Sequence, residues 1–168
     1  MGQTLEIDEL DAEVDVVLAA SGDDDGGIEA EIDAILESSK ATSSPKVAAQ
    51  ADVDMWNRTL YFTSLQSAAA AVLGGQRQGE SEDEIAATIQ AYDELYGVQP
   101  RPLSKEQRAG LLNQATRELT DQWSTLERQA KIQQHNKNAD GLQKTEAAQG
   151  RVRDALRAVI QANRDWPE

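Results

Sequence analysis

The chain of 168 residues has no cysteine, which excludes disulfides, thiol nucleophiles and thiolate metal sites. Its single histidine, His135, cannot form a multi-histidine metal cage or a two-histidine acid–base pair within one subunit. Aromatic residues number only seven (three Trp, three Tyr, one Phe), so large anchors are few. No apolar run approaches the ~20 residues that a membrane span requires. The N-terminus opens acidic, not basic-then-apolar as a secretory leader does, so a cytoplasmic or virion-associated protein is expected. Gly-x-Ser-x-Gly, His-Glu-x-x-His and phosphate-loop patterns are missing from the text. Gly74-Gly75-x-x-x-Gly79 lacks the Lys-Ser/Thr that would cradle a phosphate and reads as a turn. A non-enzymatic protein without a cofactor or metal is therefore expected.

What is present is charge, unevenly placed. The formal net charge is −14. Residues 1–40 carry thirteen acids and one base, Lys40, whereas residues 101–168 carry nine acids and twelve bases. One end of the chain should repel anionic surfaces while the other tolerates them.

Helical periodicity dominates the rest. The one β-favouring run, Thr59-Leu60-Tyr61-Phe62-Thr63, lies inside helical text without flanking turn residues and reads as helix. Residues 4–20 place Leu10, Val14, Val17 and Leu18 on one face, with Thr4 as a plausible N-cap. After the loop Ser-Gly-Asp-Asp-Asp-Gly-Gly, residues 28–39 repeat the pattern with Ile28, Ile32, Ile35 and Leu36. Together, residues 1–42 form either an acidic helical hairpin or a helix pair that orders only on a partner.

Residues 43–98 read as an apolar helical core hairpin. Ser44-Pro45 starts a helix that carries Val47, Ala51, Met55, Leu60, Phe62, Leu65, Ala69, Val72 and Leu73 and stops at Gly74-Gly75. The capping box Ser81-x-x-Glu84 opens another with Ile85, Ile89, Tyr92, Leu95 and Tyr96, closed by Gly97. Residues 103–164 read as a long C-terminal helix pair. A second box, Ser104-x-x-Gln107, precedes Leu111, Leu112, Ala115, Leu119, Trp123, Leu126 and Ala130, close to a heptad seam. Residues 133–141 favour a turn, and a last helix over 142–163 carries Ala148, Val152, Ala155, Leu156, Val159 and Ile160. Without that turn, residues 104–163 would be one rod of roughly 90 Å. The expected class is all-α, an elongated helical bundle or set of hairpins with a coiled-coil-like C-terminal pair.

Candidate chemistry is sparse. The Ser21–Ile32 loop places Ser21, Asp23 and Asp25 at the first three ligand positions of a calcium loop and Gly26 at the turn position. The first position lacks a carboxylate and the twelfth, which needs a bidentate Glu, is Ile32, so a solvated acidic turn is the stronger reading. His135, among Asn136, Asn138 and Asp140, reads as a surface residue. Arg153, Arg157 and Arg164 share one face of the last helix, with Arg151 nearby. Asp154 and Asp165 interrupt their field and no aromatic platform accompanies them, so nucleic acid is not an expected partner. A solvated flank, or pairing with the acidic N-terminal forty residues, fits better. The residues expected to bind a partner are Leu119, Trp123, Leu126, Val152, Leu156, Val159 and Trp166, the last either packed back or exposed for docking.

The stretch from Gln122-Trp123 through Gln134-His135-Asn136 to Ala155-Leu156 resembles the C-terminal helix region of flagellar hook–filament export chaperones. Its Asn/Gly register is displaced, and residues 1–100 do not match. The start Glu9-Leu10-Asp11-Ala12-Glu13-Val14-Asp15, followed by Ile28 to Lys46, looks like the opening of a helical siphovirus protein family, although an apolar helix replaces the Lys/Glu-rich one that should follow. Each resemblance covers less than half the chain and implies a helical protein that binds protein. The expected function is a non-enzymatic assembly, adaptor or chaperone-type component, with phage structural or assembly proteins as one such class. A homo-oligomer or larger protein assembly is expected, with no membrane partner. The alternatives are an acidic nucleic-acid-mimicking inhibitor, a flagellar-type export chaperone and, on the Ser21–Ile32 loop alone, a calcium-linked switch.

Overall fold

Where each helix begins and ends follows from its caps. A computed structural model describes residues 3–20, 44–77 and 79–167. These form an all-α helical bundle with helices α1 (Gln3–Ala20), α2 (Pro45–Leu73), α3 (Glu82–Tyr96), α4 (Lys105–His135) and α5 (Ala139–Asp165). No strand occurs among the described residues. The calcium-like loop and the helix expected over 28–39 lie outside them. Helix α1 already runs at Gln3, so Thr4 lies within the helix and is not its N-cap.

Pro45 occupies the first position of α2, and the Ser44 carbonyl accepts from the N–H groups of Val47 (3.0 Å) and Ala48 (3.1 Å). Both capping boxes close. The Ser81 hydroxyl accepts from the Glu84 N–H at 3.2 Å, while the Glu84 carboxylate accepts from the Ser81 N–H at 2.7 Å. The Ser104 hydroxyl accepts from the Gln107 N–H at 3.1 Å, and Gln107 Oε1 accepts from the Ser104 N–H at 3.0 Å. Gly97 ends α3 in the left-handed region, φ 61°, with its N–H donated to the Asp93 carbonyl. Such caps contribute ~1 kcal/mol each.

The two C-terminal helices form a hairpin, and the single rod does not form. Helix α4 stops at His135, Lys137 takes a left-handed φ of 52°, and the Asn138 side chain caps α5 by accepting from the Gly141 N–H. A Cβ on Gly141 would stand 2.5 Å from Asn138 Nδ2 and 3.2 Å from the Gln133 side chain, so only glycine fits this turn without a shift. Across the hairpin, the buried Thr145 hydroxyl bonds Gln133 Oε1 at 2.7 Å.

The chain divides into two compact units, and the division falls within α2 and within α4. The first contains α1, Leu65–Arg77 and Leu112–Trp166. Its core is the α5 stripe Val152, Ala155, Leu156, Val159 and Ile160, all buried at the spacing of one helix face. The α5 stripe packs in the same unit as buried Leu119 of α4 and Val14 of α1, with α4 against α5 and α1 also in contact with α5. Thr116 and Thr120 are buried on α4 as well, their hydroxyls satisfied by the Leu112 and Arg117 carbonyls of their own helix.

Among described residues the second unit contains 44–64, 79–111 and Pro167. Ala49, Val53 and Val98 are buried together, with Ile89 and Tyr92 packed against them. The segment after α3 is tied to α2 by Gln50 Nε2 donating to the Gln99 carbonyl (2.8 Å) and Asn57 Nδ2 to the Arg101 carbonyl (2.9 Å). This tie selects the buried face of α2. Of the residues expected on its buried face, Leu65 is buried and Ala51, Leu60, Phe62 and Ala69 are half-buried, whereas Val47, Met55, Val72 and Leu73 are exposed; Ala49, Val53 and Tyr61 are buried as well. Helix α2 is apolar on several sides, so periodicity alone could not choose between them.

Truncating Leu156, which is fully buried, should cost ~2–5 kcal/mol, whereas half-buried Leu126 should cost distinctly less. Urea melts of Leu156→Ala and Leu126→Ala check this, with light scattering expected to show no change of mass for either. Equal midpoints for the two variants would contradict the packing described.

Candidate interaction surface

Of the seven residues read as partner-binding, Leu119, Val152, Leu156 and Val159 are buried within the first unit. Trp123, Leu126 and Trp166 are half-buried. The seam is thus filled by the chain itself over most of its length, and only those last three retain surface for a partner. His135 is exposed in the last turn of α4.

The basic face of α5 meets the acidic face of α1. Arg157 directs both Nε (2.6 Å) and Nη2 onto Asp11 Oδ1, and its Nη1 reaches Asp154 at 2.9 Å. Arg153 Nη2 donates to Asp15 at 2.8 Å, while its buried Nε lies 3.6 Å from Asp11, beyond hydrogen-bond range. Arg164 pairs with Glu13. Asp11 therefore bridges two guanidinium groups one helical turn apart. The hydrogen bond that Arg157 donates to Asp11, set against a smaller cost of desolvation, holds the guanidinium above its ordinary range. Side-chain exposures of about a third for Arg153, Arg157 and Asp11 leave these pairs open to salt. Among the described residues, no group of three or more His, Asp or Glu side chains is placed to hold a metal ion.

In the second unit, the outer face of α3 is apolar, and no described residue covers it. Ala87, Thr88, Ala91, Tyr92, Leu95 and Tyr96 line a shallow open groove. Leu95 is 75% exposed and Tyr96 42%. The Tyr92 and Tyr96 rings stand 6.1 Å apart, tilted by 31°. Tyr92 is fixed by donating its hydroxyl to Asp52 Oδ2 at 3.2 Å. The sequence assigned Leu95 and Tyr96 to the core side of this helix; Gly97 ends the helix, and among the described residues both stay exposed. Their exposure was not legible from periodicity, which marks an apolar face but not what lies over it. No described helix is long and apolar enough to cross a membrane.

The chain matches no protein-family profile, no curated protein sequence and no solved structure.

Two expected outcomes test this geometry. Arg157→Gln should destabilise the fold by about 1 kcal/mol at low ionic strength, and the difference should shrink as salt screens the half-exposed pair. Chemical melts in a salt series check it; a penalty that grows with salt would contradict it. Tyr61 and Tyr92 are both raised above the usual phenol value, each chiefly by burial, Tyr92 also by the Asp52 charge. A raised folded value means that their contribution to stability is complete below pH ~10 and is lost as pH climbs through the folded values. Phenolate absorbance at 295 nm should show two late-titrating tyrosines, and Tyr92→Phe should leave one.

Proposed function

We propose that the protein is a non-enzymatic helical assembly, adaptor or chaperone-type component that acts through protein–protein contacts, phage structural or assembly proteins being one class of this kind. The observation that carries the reading is the uncovered apolar end of α3, where Leu95 and Tyr96 stand in solvent beside Tyr92. Tyrosine is an anchor that recurs at interface hot spots, and the exposed Leu95 extends the apolar surface beside the Tyr92–Tyr96 pair. The partner contact moves from the C-terminal seam, whose buried residues hold the first unit together, to the α3 face.

Nucleic-acid mimicry has less support. An efficient mimic displays its acids, whereas Asp11, Glu13 and Asp15 are engaged by arginines of the same chain. A flagellar-type export chaperone would rest on the C-terminal helices, and their most apolar positions are occupied internally.

Light scattering coupled to size-exclusion chromatography tests the proposal. The chain is expected to run in a defined complex, with itself or with a co-purifying protein, that Leu95→Gln with Tyr96→Ser dissolves while far-UV circular dichroism stays unchanged. A chain that is monomeric and unaccompanied at every concentration, or a complex indifferent to both substitutions, would sink it.

A further inference from the structure

Helix α1 is held to α5 more by charge than by apolar burial. Among residues 10–19 only Val14 is fully buried; Leu10, Val17 and Leu18 are half-buried and Val16 is 67% exposed. Three arginines of α5 take the carboxylates around Val14: Arg153 those of Asp11 and Asp15, Arg157 that of Asp11, and Arg164 that of Glu13. Arg153, Arg157, Ile160 and Arg164 follow the spacing i, i+4, i+7, i+11, so they form one stripe of α5. Ile160 is buried, and the stripe therefore combines three cations with an apolar position.

Detached from that stripe, α1 is a poor helix. It has 18 residues, six of them acids, and Glu9–Glu13 and Asp11–Asp15 are like-charge pairs one turn apart. The arginines thus support both its docking and its helical form. The docked state also carries a cost, since the buried Arg153 Nε has no hydrogen-bond partner there. Helices α4 and α5, in contrast, keep a buried stripe and the Thr145–Gln133 bond across their hairpin, neither of which uses a charge of α1.

We propose that α1 is a releasable arm: it leaves α5 while the α4–α5 pair stays folded, and so uncovers a stripe that binds acidic amphipathic helices. Its occupant in this structure, α1 itself, displays the pattern a competitor must carry, carboxylates one turn apart with an apolar residue between them. A nucleic-acid backbone offers no counterpart to Val14 for the apolar position in the stripe. The contact is autoinhibitory, and it yields to ionic strength or to a competing acidic helix of another protein.

Hydrogen exchange read by mass spectrometry follows the wild-type chain as salt rises from ~0.1 M to ~1 M, where the screening length falls from ~10 Å to ~3 Å. Residues 3–20 are expected to exchange severalfold faster while residues 152–160 stay protected. Arg153→Gln with Arg157→Gln should produce the same fast exchange at low salt. Loss of protection in both helices together, or no response of residues 3–20 to salt, would overturn the arm. For the stripe, a dye-labelled peptide of residues 3–20 is titrated into the full chain carrying Asp11→Asn, Glu13→Gln and Asp15→Asn. It should bind that variant about tenfold tighter than the wild-type chain, because the tethered arm no longer competes, and adding the two arginine substitutions should abolish the gain. Equal binding to variant and wild type, or a grip on a DNA duplex as tight as on the peptide, would overturn the acidic-helix site. Leu95→Gln with Tyr96→Ser should change neither result, which separates this outcome from that of the scattering experiment.

Discussion

Every helix of this chain depends on burying a narrow apolar stripe. Isolated helices are marginal in water because nucleation is costly, and packing of one face supplies most of their stability. With 27% charged residues and seven aromatics, the chain has little apolar surface to spare. The stripe Val152–Ala155–Leu156–Val159–Ile160 is the densest available, and it organises the first unit: Leu119 and Val14 are buried in the same unit. The second unit manages with less, a small cluster of Ala49, Val53 and Val98 backed by Ile89 and Tyr92. Side-chain-to-backbone ties from Gln50 and Asn57 supplement it where apolar contact is thin.

Charge decides what the stripes leave open. Helix α1 interleaves six acids with its apolar residues, and that acidic side would resist an anionic surface. On α5 it finds three arginines at matching positions. The net contribution of each half-exposed pair is small. Their value lies in orientation: Asp11, held by two guanidiniums, fixes which side of α1 faces α5, and so brings Val14 into the core.

Much of this was legible in the sequence, for local reasons. Capping boxes, a proline at the first helical position and a C-terminal glycine act over three or four residues, so Ser81, Ser104, Pro45 and Gly97 could be read directly. The turn before α5 was legible because Asn and Gly cluster there, and the pairing of the α5 arginines with the acidic arm because their spacing put them on one face. The buried face of α2 was legible only in part, at Leu65. Its selection is made by a segment about fifty residues later, where Val98 and the Gln99 and Arg101 carbonyls dock on it. Thr116, Thr120 and Thr145 were missed for a related reason: a threonine counts as polar in a periodicity, yet each satisfies its hydroxyl on a carbonyl one turn back and can then be buried. The candidate surface lay in a residue set correctly recognised as an apolar face, Ile85 through Tyr96. Which part of that face is covered depends on where the chain goes after Gly97.

The two units thus treat the same excess of acid in opposite ways. In the first, carboxylates of α1 are met by arginines from within the chain, and apolar positions of the C-terminal pair are buried with them. In the second, α3 keeps its acids and its last apolar turns together at the surface, with a helix terminus of the same sign beneath them. Leu95 is 75% exposed, so the packing of Ile89 and Tyr92 on Ala49, Val53 and Val98 does not depend on an apolar side chain there. An apolar ridge left at the surface is the form of a protein-contact face, and that is the role proposed for it.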